Sequence, residues 1–71
     1  MKEILIETEY IRIDQLLKFS NIVGSGGEAK ILIKEGLVKV NGEIVTQRGK
    51  KIRNDDVVEF EDIKFKVINK L

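Results

Sequence analysis

The sequence contains no cysteine, no histidine and no proline. Without cysteine there is no disulfide framework, and without cysteine or histidine the usual zinc sites are excluded. The same two absences remove the thiol and imidazole nucleophiles and the commonest general base. Without proline, no strand is interrupted by a residue lacking an amide donor. No apolar run approaches the ~18 residues of a membrane span. The start, Met1-Lys2-Glu3-Ile4-Leu5-Ile6-Glu7, puts acids where a secretion signal is cationic and then apolar, so a cytoplasmic protein with no membrane partner is expected. A length of 71 residues predicts one small domain, residues 1–71, with a thin margin of stability. Its core is expected to spare no pocket of the ~300 Å³ or more that a drug-sized ligand takes. Asp55 and Asp56 are adjacent carboxylates at a turn with no nucleophile or metal partner beside them. No enzyme, no catalytic residue, no metal and no cofactor are therefore expected.

What is present describes a folded domain: 42% apolar and 35% charged residues fit neither a disordered tail nor a membrane segment. Ile4 to Ile6 reads as a short first strand. Ile13, Leu16 and Leu17 fall at i, i+3 and i+4 and predict a helix over about 13–20. Asp14 in its first turn suits the helix dipole, and Asn21 is a candidate left-handed cap. Ser25-Gly26-Gly27-Glu28 has the spacing of a capping box and opens a second helix that Gly36 is placed to stop. Its apolar face is Ala29, Leu32 and Ile33; Lys30 and Lys34 share another face, and Ile31 needs separate cover.

From residue 37 the period changes to two. Leu37-Val38-Lys39-Val40 leads into Asn41-Gly42, the strongest short hairpin signal. A two-residue loop there pairs Val40 with Glu43, a poor match that leaves the register open. Thr46 to Arg53 reads as a loop or ragged strand, and Asn54-Asp55-Asp56 as a turn. A loop at Glu61-Asp62 pairs Phe60 with Ile63, Val58 with Phe65, and Glu59 with Lys64. The expected fold class is α+β: two N-terminal helices packed on a small, mostly antiparallel sheet.

The net charge of +1 hides an uneven distribution. Residues 1–27 carry three basic and four acidic groups, and residues 54–71 three and five. Residues 28–53 carry seven basic groups (Lys30, Lys34, Lys39, Arg48, Lys50, Lys51 and Arg53) against three acidic, a local +4. Nucleic-acid binding depends on the local potential facing the phosphates. The plain alternative is a solvated loop with scattered lysines. Gly24-Ser25-Gly26-Gly27-Glu28-Ala29-Lys30 likewise has two readings: an anion-accepting helix start, or a cap whose glycines allow tight packing against the first helix. It lacks the spacing of a P-loop.

These pieces, in order after Ile11-Arg12-Ile13-Asp14-Gln15-Leu16-Leu17-Lys18, resemble the S4-like RNA-binding domain. The matching residues are Arg12-Ile13-Asp14 with Leu16-Leu17, then Ala29-Lys30, then Val38-Lys39-Val40-Asn41-Gly42. Ser25 to Lys30 and Arg48-Gly49-Lys50-Lys51 look closest to the small stand-alone YaaA/YbcJ-like proteins. The resemblance covers about residues 8–68. Gln47 stands where those proteins often have a second arginine, and Asn54-Asp55 or Asp55-Asp56 replaces a Gly-Asp. The resemblance implies an αL motif, in which two helices and the following hairpin form one surface that grips structured RNA. The RNA-binding residues it implies are Arg12, Lys18, Ser25, Gly27, Lys30, Lys39, Asn41, Arg48, Lys50 and Lys51. Lysine and arginine would neutralise phosphates, and Ser25 with its neighbouring amides would receive a phosphate or 2′-OH. Asn41 serves either the turn or the RNA, Arg12 either RNA or an ion pair with Asp14 or Glu9, and Tyr10 and Phe19 either core packing or a base. The implied partner is RNA, ribosomal or in a ribosome assembly intermediate, and the implied state is a monomer. Two other classes compete. One is a protein–protein adaptor using the same basic surface. The other is a ubiquitin-like or sulfur-carrier protein, whose chemistry needs a C-terminal Gly-Gly where this sequence has Ile68-Asn69-Lys70-Leu71.

Overall fold

The computed structural model describes residues 1–70. Seven strands and two helices follow in the order β1 (Lys2–Ile6), β2 (Ile11–Arg12), α1 (Ile13–Phe19), α2 (Gly26–Lys34), β3 (Val38–Val40), β4 (Glu43–Ile44), β5 (Lys51–Ile52), β6 (Val57–Phe60) and β7 (Ile63–Asn69). Five strands form one sheet in the order β1-β7-β6-β3-β4. Every pairing in it is antiparallel except β1 with β7, which run parallel. The α+β architecture is the expected one: two helices on a small, mostly antiparallel sheet.

The core lies between the helices and one face of this sheet. Ile13, Leu16 and Leu17 of α1 and Ala29 and Ile33 of α2 are fully buried, as the helical period requires. Val38, Val40, Val58, Phe65 and Val67 meet them from the sheet. The residues between these, Lys39, Glu59, Lys64 and Lys66, belong to the opposite, outer face. Ile31 receives no cover and stays 57% exposed.

Two left-handed residues end the helices: Asn21 at φ 65° after α1 and Gly36 at φ 74° after α2. The capping box is half made. The Glu28 amide donates to Ser25 Oγ at 3.3 Å, while no return bond from Glu28 occurs among the described residues.

The β6–β7 hairpin has the expected register, with Val58 opposite Phe65 and Glu59 opposite Lys64. The β3–β4 hairpin closes on Asn41-Gly42 at φ 53° and 85°, and it does pair Val40 with Glu43. The mismatch is tolerable because β4 is an edge strand of two residues, so Glu43 remains in water.

One pairing goes beyond the sequence reading. Ile11 and Arg12, just ahead of the helix expected from residue 13, form β2, and Lys51–Ile52, within the segment expected as a loop or ragged strand, pairs with it antiparallel. Arg12 is extended, with φ −71° and ψ 147°, and α1 starts only at Ile13. The period-two signal is one residue deep on each strand, Ile11 and Ile52, which is too short to read as a strand from sequence alone.

Candidate nucleic-acid interface

The β2–β5 ribbon decides where the basic loop goes. An α-helix start leaves its first amides without intrahelical partners. In α1 these are met by the loop itself: the Ile13 amide donates to the Lys50 carbonyl at 2.8 Å and the Asp14 amide to the Arg48 carbonyl at 3.3 Å. Arg12, the N-cap residue, has no side-chain acceptor and supplies no cap of its own, so the loop carbonyls take that place. The backbone at this helix start is thus already occupied, so a ligand there would be met by side chains.

On the ribbon beside this loop, the outward side chains share one face. Ile52 is fully buried and its partner Ile11 half-buried, so both point to the core. By strand alternation Arg12 and Lys51, opposite each other in register, point outward, with Tyr10 and Arg53 one step beyond them. The contacts agree. Lys51 Nζ lies 4.8 Å and Arg53 Cζ 5.3 Å from the centroid of the Tyr10 ring, within cation–π range. Arg53 also approaches Glu9 at 3.6 Å. Arg12 Nη2 binds Asp14 Oδ2 at 2.9 Å, and Asp14 Oδ1 accepts from the Gln15 amide at 2.8 Å. Asp14 is buried by this arrangement while Arg12 keeps half its side chain in water.

The remaining candidates are dispersed. Ser25, Gly27 and Lys30 sit on the exposed first turns of α2. A Cβ at Gly26 would meet nothing within 4 Å, and one at Gly27 only Ser25 Oγ at 3.8 Å. Tight packing against α1 therefore does not explain these glycines. Lys18 is exposed in the last turn of α1, about 9 Å along the axis from Arg12. Lys39 lies between buried Val38 and Val40 and so leaves the sheet on the outer face, beside Glu59. It does not join the ribbon. Asn41 is committed to the turn: its Nδ2 donates to Asp56 Oδ1 at 3.0 Å and its Oδ1 accepts from the Val57 amide at 2.9 Å.

Residues 4–68 match the family model of the S4 domain. This chain belongs to the S4 domain family. It is 43% identical over 67 residues to the probable ribosome maturation protein RlbA of Bacillus subtilis, covering 93% of this chain and 94% of that protein. Over 42 residues it is 48% identical to the ribosomal large subunit pseudouridine synthase B of the same organism, a match covering 59% of this chain but 17% of the synthase. Among solved structures, YbcJ from E. coli, whose αL motif is described as involved in RNA binding, superposes with a TM-score of 0.72 at 32% identity. That match covers 96% of this chain and 87% of YbcJ. The 30S ribosomal protein S4e of Thermoplasma acidophilum gives a TM-score of 0.63 at 25% identity, covering 84% of this chain and 32% of that one.

The ribbon of this S4 domain holds two residues that the motif did not single out, Tyr10 and Arg53. The signal for both was period two: each stands two residues from a motif base, on the far side of an inward-facing isoleucine. Beside the ribbon, an open cleft of about 370 Å³ separates the β3–β4 hairpin from the basic loop, with Glu43, Gln47, Lys50 and Asp56 among its lining. A second cleft of about 350 Å³ lies between the α1–α2 break and the β6–β7 turn. Both open at the surface, and neither is a pocket within the core. No group of three or more metal-ligating side chains occurs among the described residues. None of the helices is long and apolar enough to cross a membrane.

Proposed function

We propose that this S4 domain is a non-enzymatic RNA-binding protein. It grips structured RNA, ribosomal or in a ribosome assembly intermediate, by phosphate contacts with little base readout. The observation that supports this is the ribbon, which carries Arg12, Lys51 and Arg53 on one outer face beside the loop whose Arg48 and Lys50 carbonyls bind the start of α1. Arg12 gives part of its charge to Asp14, so Arg48, Lys50, Lys51 and Arg53 supply most of the attraction. The open start of α2, with Ser25, Gly27 and Lys30, is a second contact along the same RNA, and Lys18 a third. The RNA-binding αL motif of YbcJ and the ribosomal role in RlbA's name support the same reading. Residues 1–71 act as one unit, as a monomer in the cytoplasm.

Salt dependence tests this. If about five phosphates are neutralised, log K falls against log salt with a slope of about −3.5 to −4.5. Lys50→Glu with Lys51→Glu weakens binding to unrelated RNA sequences alike. Co-sedimentation with ribosomal particles then separates ribosomal from other RNA. A flat salt response, or wild-type affinity in the double variant, would overturn the proposal in favour of a protein partner for the same surface.

A further inference from the structure

Tyr10 has no role in the core and none in the motif, yet two cations lean on its ring. It is 38% exposed. Lys51 Nζ and Arg53 Cζ stand 4.8 and 5.3 Å from its centroid. Lysine and arginine side chains are otherwise among the most mobile on a protein surface, and fixing them on binding opposes association. A cation held against an aromatic face before RNA arrives has already lost that freedom. The strand supplies the rest of the geometry: Lys51 and Arg53 are two residues apart on one side, about 6.6 Å along an extended chain. The free bases Lys30 and Lys34 have no such support among the described contacts.

We infer that Tyr10 is a positioning residue for phosphate recognition, its ring holding the Lys51 and Arg53 side chains in one orientation on the outer face of the ribbon. The inference rests on the RNA-binding reading for its consequence, though not for its geometry. Tyr10 contributes no charge and reads no base. Its effect passes wholly through the two cations, and the ring, not the hydroxyl, is the part that matters.

The test is a double-mutant cycle on a fluorescein-labelled stem–loop RNA, with heparin as a polyanion that has no bases. Tyr10→Leu raises Kd for both probes by about three- to tenfold, while Tyr10→Phe stays within about twofold of wild type. In a Lys51→Gln, Arg53→Gln background, Tyr10→Leu has no further effect, because the groups it positions are gone. If Tyr10→Leu binds like wild type, or keeps its full effect in that background, the inference is wrong. If its effect appears with RNA and vanishes with heparin, the ring stacks on a base and the inference is equally wrong. A readout without any variant guards against a folding defect. Ring current shifts the Lys51 Hε and Arg53 Hδ resonances upfield in the free protein, and random-coil positions for both would refute the arrangement. Should the wild type bind neither probe, the RNA-binding reading fails while the resonances still judge the ring contact.

Discussion

Asn41 stands in the Val38-Lys39-Val40-Asn41-Gly42 stretch that carries the resemblance to the S4 motif, so its replacement decides between a contact with RNA and a support for the fold. In Asn41→Ala, two side-chain hydrogen bonds disappear, to Asp56 at 3.0 Å and from the Val57 amide at 2.9 Å. At about 1 kcal/mol net each, they account for about 2 kcal/mol. The backbone adds to this. Asn41 is at φ 53°, and alanine held in the left-handed region costs about 1–2 kcal/mol. The bond from the Asn41 amide to the Val57 carbonyl at 2.8 Å survives, since it is main chain. The total is about 3–4 kcal/mol, or a fall of about 12–32 °C in Tm for a domain of this size. Asn41→Gly removes the same side-chain bonds without left-handed strain, so it loses only about 2 kcal/mol. Thermal and urea unfolding followed by circular dichroism measure both. The folded Gly variant is then expected to bind RNA as the wild type does. An Ala variant melting within about 3 °C of wild type would refute the reasoning, and so would a stable Gly variant with weakened RNA binding.

Two further substitutions probe the helix starts. Ser25→Ala removes the acceptor for the Glu28 amide and lowers stability by about 1 kcal/mol; Ser25→Asp restores it in the same melt. Asp14→Asn removes the partner of Arg12 while its Oδ1 can still accept from the Gln15 amide. It lowers stability by about 1–2 kcal/mol yet tightens RNA binding at low salt, because one acid leaves the basic surface. A purely stabilising role for Arg12 predicts no such gain.

The sequence carried the fold wherever a period ran for several residues. Ile13, Leu16 and Leu17 marked α1, and Val58, Phe60, Ile63 and Phe65 marked the last hairpin with its register. It failed where an element is two residues long. The β2–β5 ribbon rests on Ile11 and Ile52 alone, and its existence depends on a contact between segments forty residues apart. The site followed the same rule. Arg48, Lys50 and Lys51 were visible as a cluster, but their placement on α1 comes from main-chain bonds to Ile13 and Asp14 that no side-chain pattern encodes. Lys39 shows the converse: adjacent to a motif turn in sequence, it is carried to the outer sheet face by strand alternation.

A net charge of +1 is compatible with RNA binding because the fold sorts its charges by face. On the outer face of the sheet, bases and acids meet in register: Lys39 and Lys64 flank Glu59, and Lys66 lies opposite Glu3. Three bases against two acids leave +1 there. On the ribbon and its loop, Arg12, Arg48, Lys50, Lys51 and Arg53 meet Glu9, Asp14 and Asp56, the last accepting from the Arg53 amide at 2.8 Å, five against three, or +2. A polyanion therefore finds a steeper potential on the ribbon than on the sheet, although both faces are rich in lysine. Exchanging acids between the faces at constant total charge would abolish this polarity. Such a variant should keep its solubility and lose its RNA affinity.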